Sequence, residues 1–270
     1  MKGKGATPMH QNKTDTLDLL REKIRRMEAP QPTSAERLPT GFAAIDTHLD
    51  GGLARGGVHE VFSAGRDSVF SSRSAAFVAH VLARTTGPVI WVSEDYPDLS
   101  APGIRQSGLN PGRLLCVTTR KGGLEALCED VLNERGVCAL VADIRTPLTL
   151  TQSRRLVLAA SRSHVSGFLL CRTAGAQNNP PASASMTRWR IGGSPSTLRT
   201  DLPSLSPVAG AERWAVELLR HRGGPGGTWI ITPTRHDPTY SFPVAAPLAD
   251  RATPETAAIP FTHRPGALRA

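Results

Sequence analysis

The stretch Gly56 to Leu82, GGVHEVFSAGRDSVFSSRSAAFVAHVL, is where the residue types and spacing of this sequence come nearest to chemistry. It reads as a buried strand (Val58 to Phe62), a loop (Ser63 to Ser72) and a helix with Ala75, Ala76, Val78, Ala79 and Leu82 on its apolar face. Strand, loop and helix in that order hold nucleotide phosphate when the loop reads G-x-x-x-x-G-K-[ST]. Glycines then let backbone N–H groups converge on the phosphates, and the lysine reaches the β and γ groups. This loop has one glycine, Gly65, and no lysine. Arg73-Ser74 is the nearest approach to Lys-Ser/Thr, and an arginine bonds as a rigid fork where the lysine acts as a compact charge. Asp67 adds negative charge to the loop, and Phe70 adds bulk where the loop must close on a ligand.

The surrounding elements indicate an α/β fold with a mainly parallel central sheet flanked by helices. Short apolar runs at Pro88 to Ser93, Leu114 to Thr118, Cys138 to Val141 and Gly167 to Cys171 read as further strands. Glu94 follows the first of these runs and Asp143 the third. Helical patterns fall between them at Gly123 to Glu134 and Leu150 to Ser163. Continuous apolar runs alternating with helices predict strands covered on both faces. Past residue 174 the pattern changes. A polar loop (Ala174 to Ser185) precedes strand candidates at Met186 to Ile191, Trp214 to Leu219, Thr228 to Thr232 and Tyr240 to Val244, separated by a Ser/Pro/Gly loop from Gly192 to Ala211. These predict an antiparallel extension at the C-terminal side.

Three regions follow: 1–36, a polar tail, helix and linker; 37–246, the α/β domain; and 247–270, a Pro/Ala/Arg tail without periodicity. In the first region Thr14 to Glu28 predicts an amphipathic helix with Leu17, Leu20, Ile24 and Met27 on one stripe. A helix this short is marginal alone, so the stripe packs on the chain's own core or on a partner.

The net charge is +9. Residues 1–150 hold 18 basic and 17 acidic side chains, and residues 151–270 hold 14 and 6, so the excess is C-terminal. That bias suits a polyanion or an acidic partner. Its second reading is coding bias, because only five of the 32 basic residues are lysine. Arg188, Trp189, Arg190, Arg220 and Arg222 are the candidate contact residues. Trp189, Trp214 and Trp229 read first as core; exposed beside arginines, they would be interface anchors. Cys116, Cys128, Cys138 and Cys171 lack ligand spacing, and no metal or cofactor site is expected. With no apolar leader and no run of 18 apolar residues, a cytoplasmic protein without membrane contact is expected.

The segment LPTGFAAIDTHLDGGLARGGVHEVF resembles the approach to the phosphate loop in RecA-type recombinases, through Leu38, Thr40, Gly41, Ile45, Asp46, Gly51, Gly52, Leu53, Gly56, Glu60, Val61 and Phe62. In that register Glu94 takes the place of the carboxylate closing the second strand, and Asp143 the Walker B place. The likeness spans residues 14–245. The LDLLREKIRRME helix, TRWRIGGSPS and WAVELLRHRGGPGGTWII are similar to the ImuA family of RecA-like proteins. The resemblance implies a protein of SOS-induced translesion synthesis and mutagenesis. Its implied partners are an ImuB-like Y-family polymerase relative and RecA, with an error-prone C-family polymerase reached indirectly. Gly65, Arg73, Ser74, Glu94 and Asp143 are then a vestigial nucleotide site with no catalytic residue. The chain is expected to be a non-enzymatic adaptor, without cofactor. Two alternatives stay open: a RecA/RadA-class repair ATPase with an altered loop, and a SulA-like division inhibitor. Nonspecific DNA contact through the C-terminal arginines also stays open, as a salt-dependent backbone term.

Overall fold

The computed structural model describes residues 37–65, 67–172, 180–195 and 212–234, with only the backbone of residues 67–71. The predicted N-terminal helix with Leu17, Leu20, Ile24 and Met27, the strand at Tyr240 to Val244, Arg199 and the C-terminal tail lie outside the described residues.

The chain enters through β1 (Arg37–Leu38), α1 (Ala43–His48) and β2 (Leu53–Ala54), with β1 and β2 paired antiparallel. The RecA-like signature residues of this segment have structural work. Asp46 accepts hydrogen bonds from the Thr40 backbone N–H and hydroxyl, both at 2.7 Å, and from the Gly41 N–H at 3.0 Å. This ties the turn before α1 to the helix. Gly52 has φ +123°, and a Cβ there would lie 2.2 Å from the Leu38 carbonyl oxygen. Only glycine lets β2 approach β1.

The central sheet follows: β3 (Val58–Ser63), β4 (Val89–Ser93), β5 (Leu114–Thr118), β6 (Ala139–Ile144), β7 (Ser166–Cys171), β8 (Thr187–Ser194), β9 (Arg213–His221) and β10 (Gly227–Ile231). Their order across the sheet is β10-β9-β8-β3-β7-β6-β4-β5. Pairing is parallel from β5 through β8 and antiparallel for β8–β9 and β9–β10. β3, β4 and β6 are buried at every position, as strands covered on both faces must be. β9 alternates, with Trp214, Val216 and Leu218 inward, as a half-covered antiparallel strand does.

Helices α2 (Asp67–Leu82) and α3 (Ala101–Gln106), with α1, cover one face. That core holds Phe77, Trp91, Phe168, Trp189 and Trp214. Helices α4 (Leu124–Asn133) and α5 (Leu150–Ser163) cover the other. α4 buries Leu124, Cys128, Val131 and Leu132 at helical spacing. α5 starts in a capping box between Thr149 and Gln152 and ends at His164, which has φ 63°.

The α/β fold with its parallel sheet and C-terminal antiparallel strands matches the sequence reading. Three details correct it. The helix after β3 begins at Asp67, not past Ser72, so most of the predicted loop is helix. The strand near Met186 to Ile191 pairs with β3 in parallel, so the antiparallel part is β9 and β10 alone. The six-residue α3 carries no period a sequence window could register. Ser100 caps it, accepting from the Gly103 N–H, with Pro102 in its first turn.

Candidate functional site

The C-terminal ends of parallel strands are where open α/β sheets bind ligands. The predicted vestigial residues converge on that end: Gly65 after β3, Glu94 after β4 and Asp143 at the next-to-last position of β6. Each is engaged by the chain itself. β7 lies between β3 and β6, and Arg172, just beyond β7, forms an ion pair with the buried Asp143 through Nε. Glu94 accepts from the Gly122 N–H at 2.8 Å. Arg145, two residues beyond Asp143, meets Asp95 at 3.2 Å on the surface.

The loop after β3 differs from the phosphate-binding pattern. α2 begins four residues after β3 ends. G-x-x-x-x-G-K-[ST] needs a longer excursion before the helix, to wrap backbone N–H groups around a phosphate. Arg73 and Ser74 fall in the second turn of α2, past the place where a phosphate-binding lysine sits. Ser74 is buried, with its hydroxyl 3.1 Å from that of Ser63. Arg73 Nε lies 3.3 Å from Glu212, and its guanidinium lies over Gly193 on β8. A cavity of about 400 Å³ opens beside them, lined by Arg73, His80, Asp98, Arg172, Glu212 and Trp214 among others.

A second polar cluster holds β8 against β3. The register sets Glu60 opposite Arg188, and their side chains meet at 2.7 Å. Both are buried. Glu60 also accepts from the hydroxyls of Ser183 and Ser185, the latter at 2.8 Å. Arg188 donates further to the Pro181 carbonyl at 2.8 Å and lies over the Phe62 ring at 5.2 Å. Arg220 on β9 donates to the Ser183 carbonyl at 2.6 Å. A buried ion pair with its remaining donors and acceptors satisfied fixes geometry, and removing one member is costly.

On the opposite face of the same two strands, His59 makes a separate polar contact. Nε2 lies 3.1 Å from the Ala54 carbonyl, which can only accept, so Nε2 carries the proton. Nδ1 then accepts from the Thr187 hydroxyl at 2.8 Å, and that oxygen accepts from Trp189 Nε1 at 2.7 Å. Burial lowers the His59 pKa from 6.5 to about 4, which holds the ring neutral.

The candidate contact residues therefore divide. Trp189 has no exposed surface and Arg188 only 8%, so neither lies on a contact surface. Trp189 faces the core because β8 is an interior strand. Arg190 pairs with Glu217 at 2.8 Å, Arg220 reaches the Ser183 carbonyl and Arg222 is exposed. Trp214 is buried, and the half-buried Trp229 packs edge-on against His48. Sequence reasoning used Glu60 as a motif residue but missed its pairing. The signal is register: opposite charges at opposed positions of two adjacent strands, each flanked by buried residues. The cysteines are free thiols, with Cys128 pushed up to about 12 by burial first and Glu125 second. Among the described residues no three His, Cys, Asp or Glu side chains gather at one point. No helix among them is long and apolar enough to cross a membrane.

The chain is 37% identical over 238 residues to Protein ImuA of Caulobacter vibrioides strain NA1000 / CB15N, spanning 83% of this chain and 95% of the relative. The figures are the same for Protein ImuA of strain ATCC 19089 / CIP 103742 / CB 15. The chain belongs to the ImuA family. No family model matches it. In this ImuA family member, Asp143 pairs with Arg172 and Glu94 accepts from the Gly122 N–H.

Proposed function

We propose that this chain is a RecA-like accessory factor of SOS-induced translesion synthesis and mutagenesis that works by contact and not by nucleotide turnover. It serves as an adaptor between an ImuB-like Y-family polymerase relative and RecA, with an error-prone C-family polymerase joined indirectly. The observation that carries this reading is the engagement of Asp143 by Arg172 at the Walker B place. Phosphoryl transfer needs a carboxylate free to hold Mg²⁺, a phosphate cradle and a cation on the γ-phosphate. Here the carboxylate has an internal cation, α2 starts too early for the cradle, and Arg73 is directed toward Glu212.

Two measurements test it. Titration of the full chain with fluorescent ATP and Mg²⁺ is expected to give no saturable binding at micromolar concentrations and no phosphate release. Saturable binding with turnover that Asp143→Ala abolishes would overturn the reading. Purification of the tagged chain from DNA-damaged cells is expected to bring down the ImuB-like protein and RecA; recovery of neither would count against the adaptor role.

A further inference from the structure

The outer face of α5 has no role in the fold. Leu150, Arg154, Leu158 and Arg162 recur every fourth residue and so form one ridge along the helix. All four are exposed. Five large hydrophobic side chains are exposed among the described residues, and two of them, Leu150 at 37% and Leu158 at 55%, stand on this ridge. The opposite side of α5, with Leu156, Ala159 and Ala160, is buried, so the ridge is not the core stripe. Arg155 on the neighbouring row reaches Glu129 at 2.6 Å and Glu125 at 3.5 Å. No described carboxylate pairs with Arg154 or Arg162. Positive character continues past the helix end through the exposed Arg55, whose neighbour Gly56 packs against Ala160 and His164.

We propose that this ridge docks an acidic amphipathic segment of a partner protein. Two leucines two turns apart, about 12 Å along the axis, match apolar residues at helical spacing on the incoming segment. The arginines between and beyond them take its carboxylates as forks. Charge complementarity selects the partner's sign, and the leucines select a protein over a polynucleotide, since phosphate contact uses no aliphatic surface. This docking stands whether or not the chain turns over nucleotide.

The test uses the full chain and a fluorescein-labelled peptide with leucine at every fourth position and glutamates between. Anisotropy is expected to show saturable, salt-sensitive binding. Arg154→Glu with Arg162→Glu weakens it about tenfold or more, and Leu158→Ala about fivefold. A peptide with lysine in place of glutamate is expected to bind the charge-reversed variant, which shows that the variant is folded. A shuffled peptide of the same composition is expected to bind about fivefold more weakly, because helical spacing carries part of the recognition. Equal binding of the shuffled peptide, or no saturable binding of the ordered one, overturns the proposal. So does loss, on charge reversal, of single-stranded DNA or phosphatidylglycerol-vesicle binding in place of peptide binding. A self-association in sedimentation that Leu158→Ala removes also overturns it, since the exposed Asp130 of α4 and Glu134 just past it could serve a second copy.

Discussion

The seam between β3 and β8 and the strand ends where a nucleotide would sit each hold a buried carboxylate against an arginine, with different surroundings. At the seam Glu60 has two hydroxyl donors besides Arg188, and Arg188 has backbone carbonyls besides Glu60. The pair joins two strands and the segment at 180–185. At the strand ends, Asp143 meets Arg172 beside a cavity of about 400 Å³ that Arg172 helps to line. The first arrangement organises structure around a charge. The second neutralises a carboxylate at a position where RecA-like proteins use one. The difference teaches that a buried ion pair does not mark function by itself; what matters is how many other groups depend on it.

The largest effect is expected at the seam. Arg188→Met leaves Glu60 buried without its cation, and loss of one member of such a pair costs about 3–5 kcal/mol. Urea denaturation should show the midpoint falling accordingly. Adding Glu60→Gln to that variant removes the orphan charge while keeping an acceptor for the serines, so the double variant should be more stable than Arg188→Met alone. A double variant as unstable as the sum of the two single changes would mean that the pair is not coupled.

The next effect is a pH dependence from the same seam. His59 has a folded pKa of about 4 against 6.5 in an unfolded chain. As pH falls through 6.5 the unfolded chain takes up this proton first. Stability is therefore full above about pH 6.5 and declines toward pH 4, by about 3 kcal/mol in all. His221, also held below its ordinary value by burial and by Arg37, adds in the same direction. Guanidinium midpoints measured from pH 7.5 to 4.5 should fall along this limb. His59→Gln should cost stability at pH 7.5 and flatten most of the slope. An unchanged slope would remove His59 as its source.

Much of the fold was legible because its cues are local. Continuous apolar runs marked most of the parallel strands, and the glycine pairs with Thr40 and Asp46 marked the entry segment. The start of α2 was misread because Gly65, Asp67 and the serines suggest a loop, while apolar packing of Phe77 through Leu82 pulls the helix back to Asp67. The direction of β8 depends on where the connection from β7 returns, which no residue pattern encodes. The candidate site was half legible. Asp143 and Glu94 could be placed, but the pairing of Asp143 with Arg172 depends on the order of β6 and β7 in the sheet. The Glu60–Arg188 pair was hidden because its members lie 128 residues apart and meet only through register. For the same reason the burial of Arg188 was hidden, while Trp189 fits its first reading as core.

A smaller effect is expected at the strand ends. Asp143→Asn keeps one oxygen for Arg172 but loses the charge, at a cost of about 2 kcal/mol, the worth of a hydrogen bond to a charged partner. The midpoint shift should be roughly half that of Arg188→Met. Binding of fluorescent ATP should be the same in both proteins, absent before and after. A shift as large as that of Arg188→Met would erase the distinction drawn between the two pairs.

The smallest effect tests whether the family signature is architecture. Asp46 uses one oxygen for the Thr40 N–H and hydroxyl and the other for the Gly41 N–H. Asp46→Asn can keep its carbonyl oxygen toward Thr40, and then its amide nitrogen faces the Gly41 N–H, donor against donor. Gly41 lies at an exposed turn, so water can replace the lost acceptor, and the cost is about 1 kcal/mol. Asp46→Ala removes both acceptors and leaves the buried Thr40 N–H unpaired, so it should cost more than the asparagine variant. That ordering, read from denaturation midpoints with nucleotide binding unchanged, is what a purely structural signature requires. Equal midpoints for both variants and the parent would mean that the turn holds without Asp46, and the spacing from Thr40 to Asp46 would need a cause outside the fold.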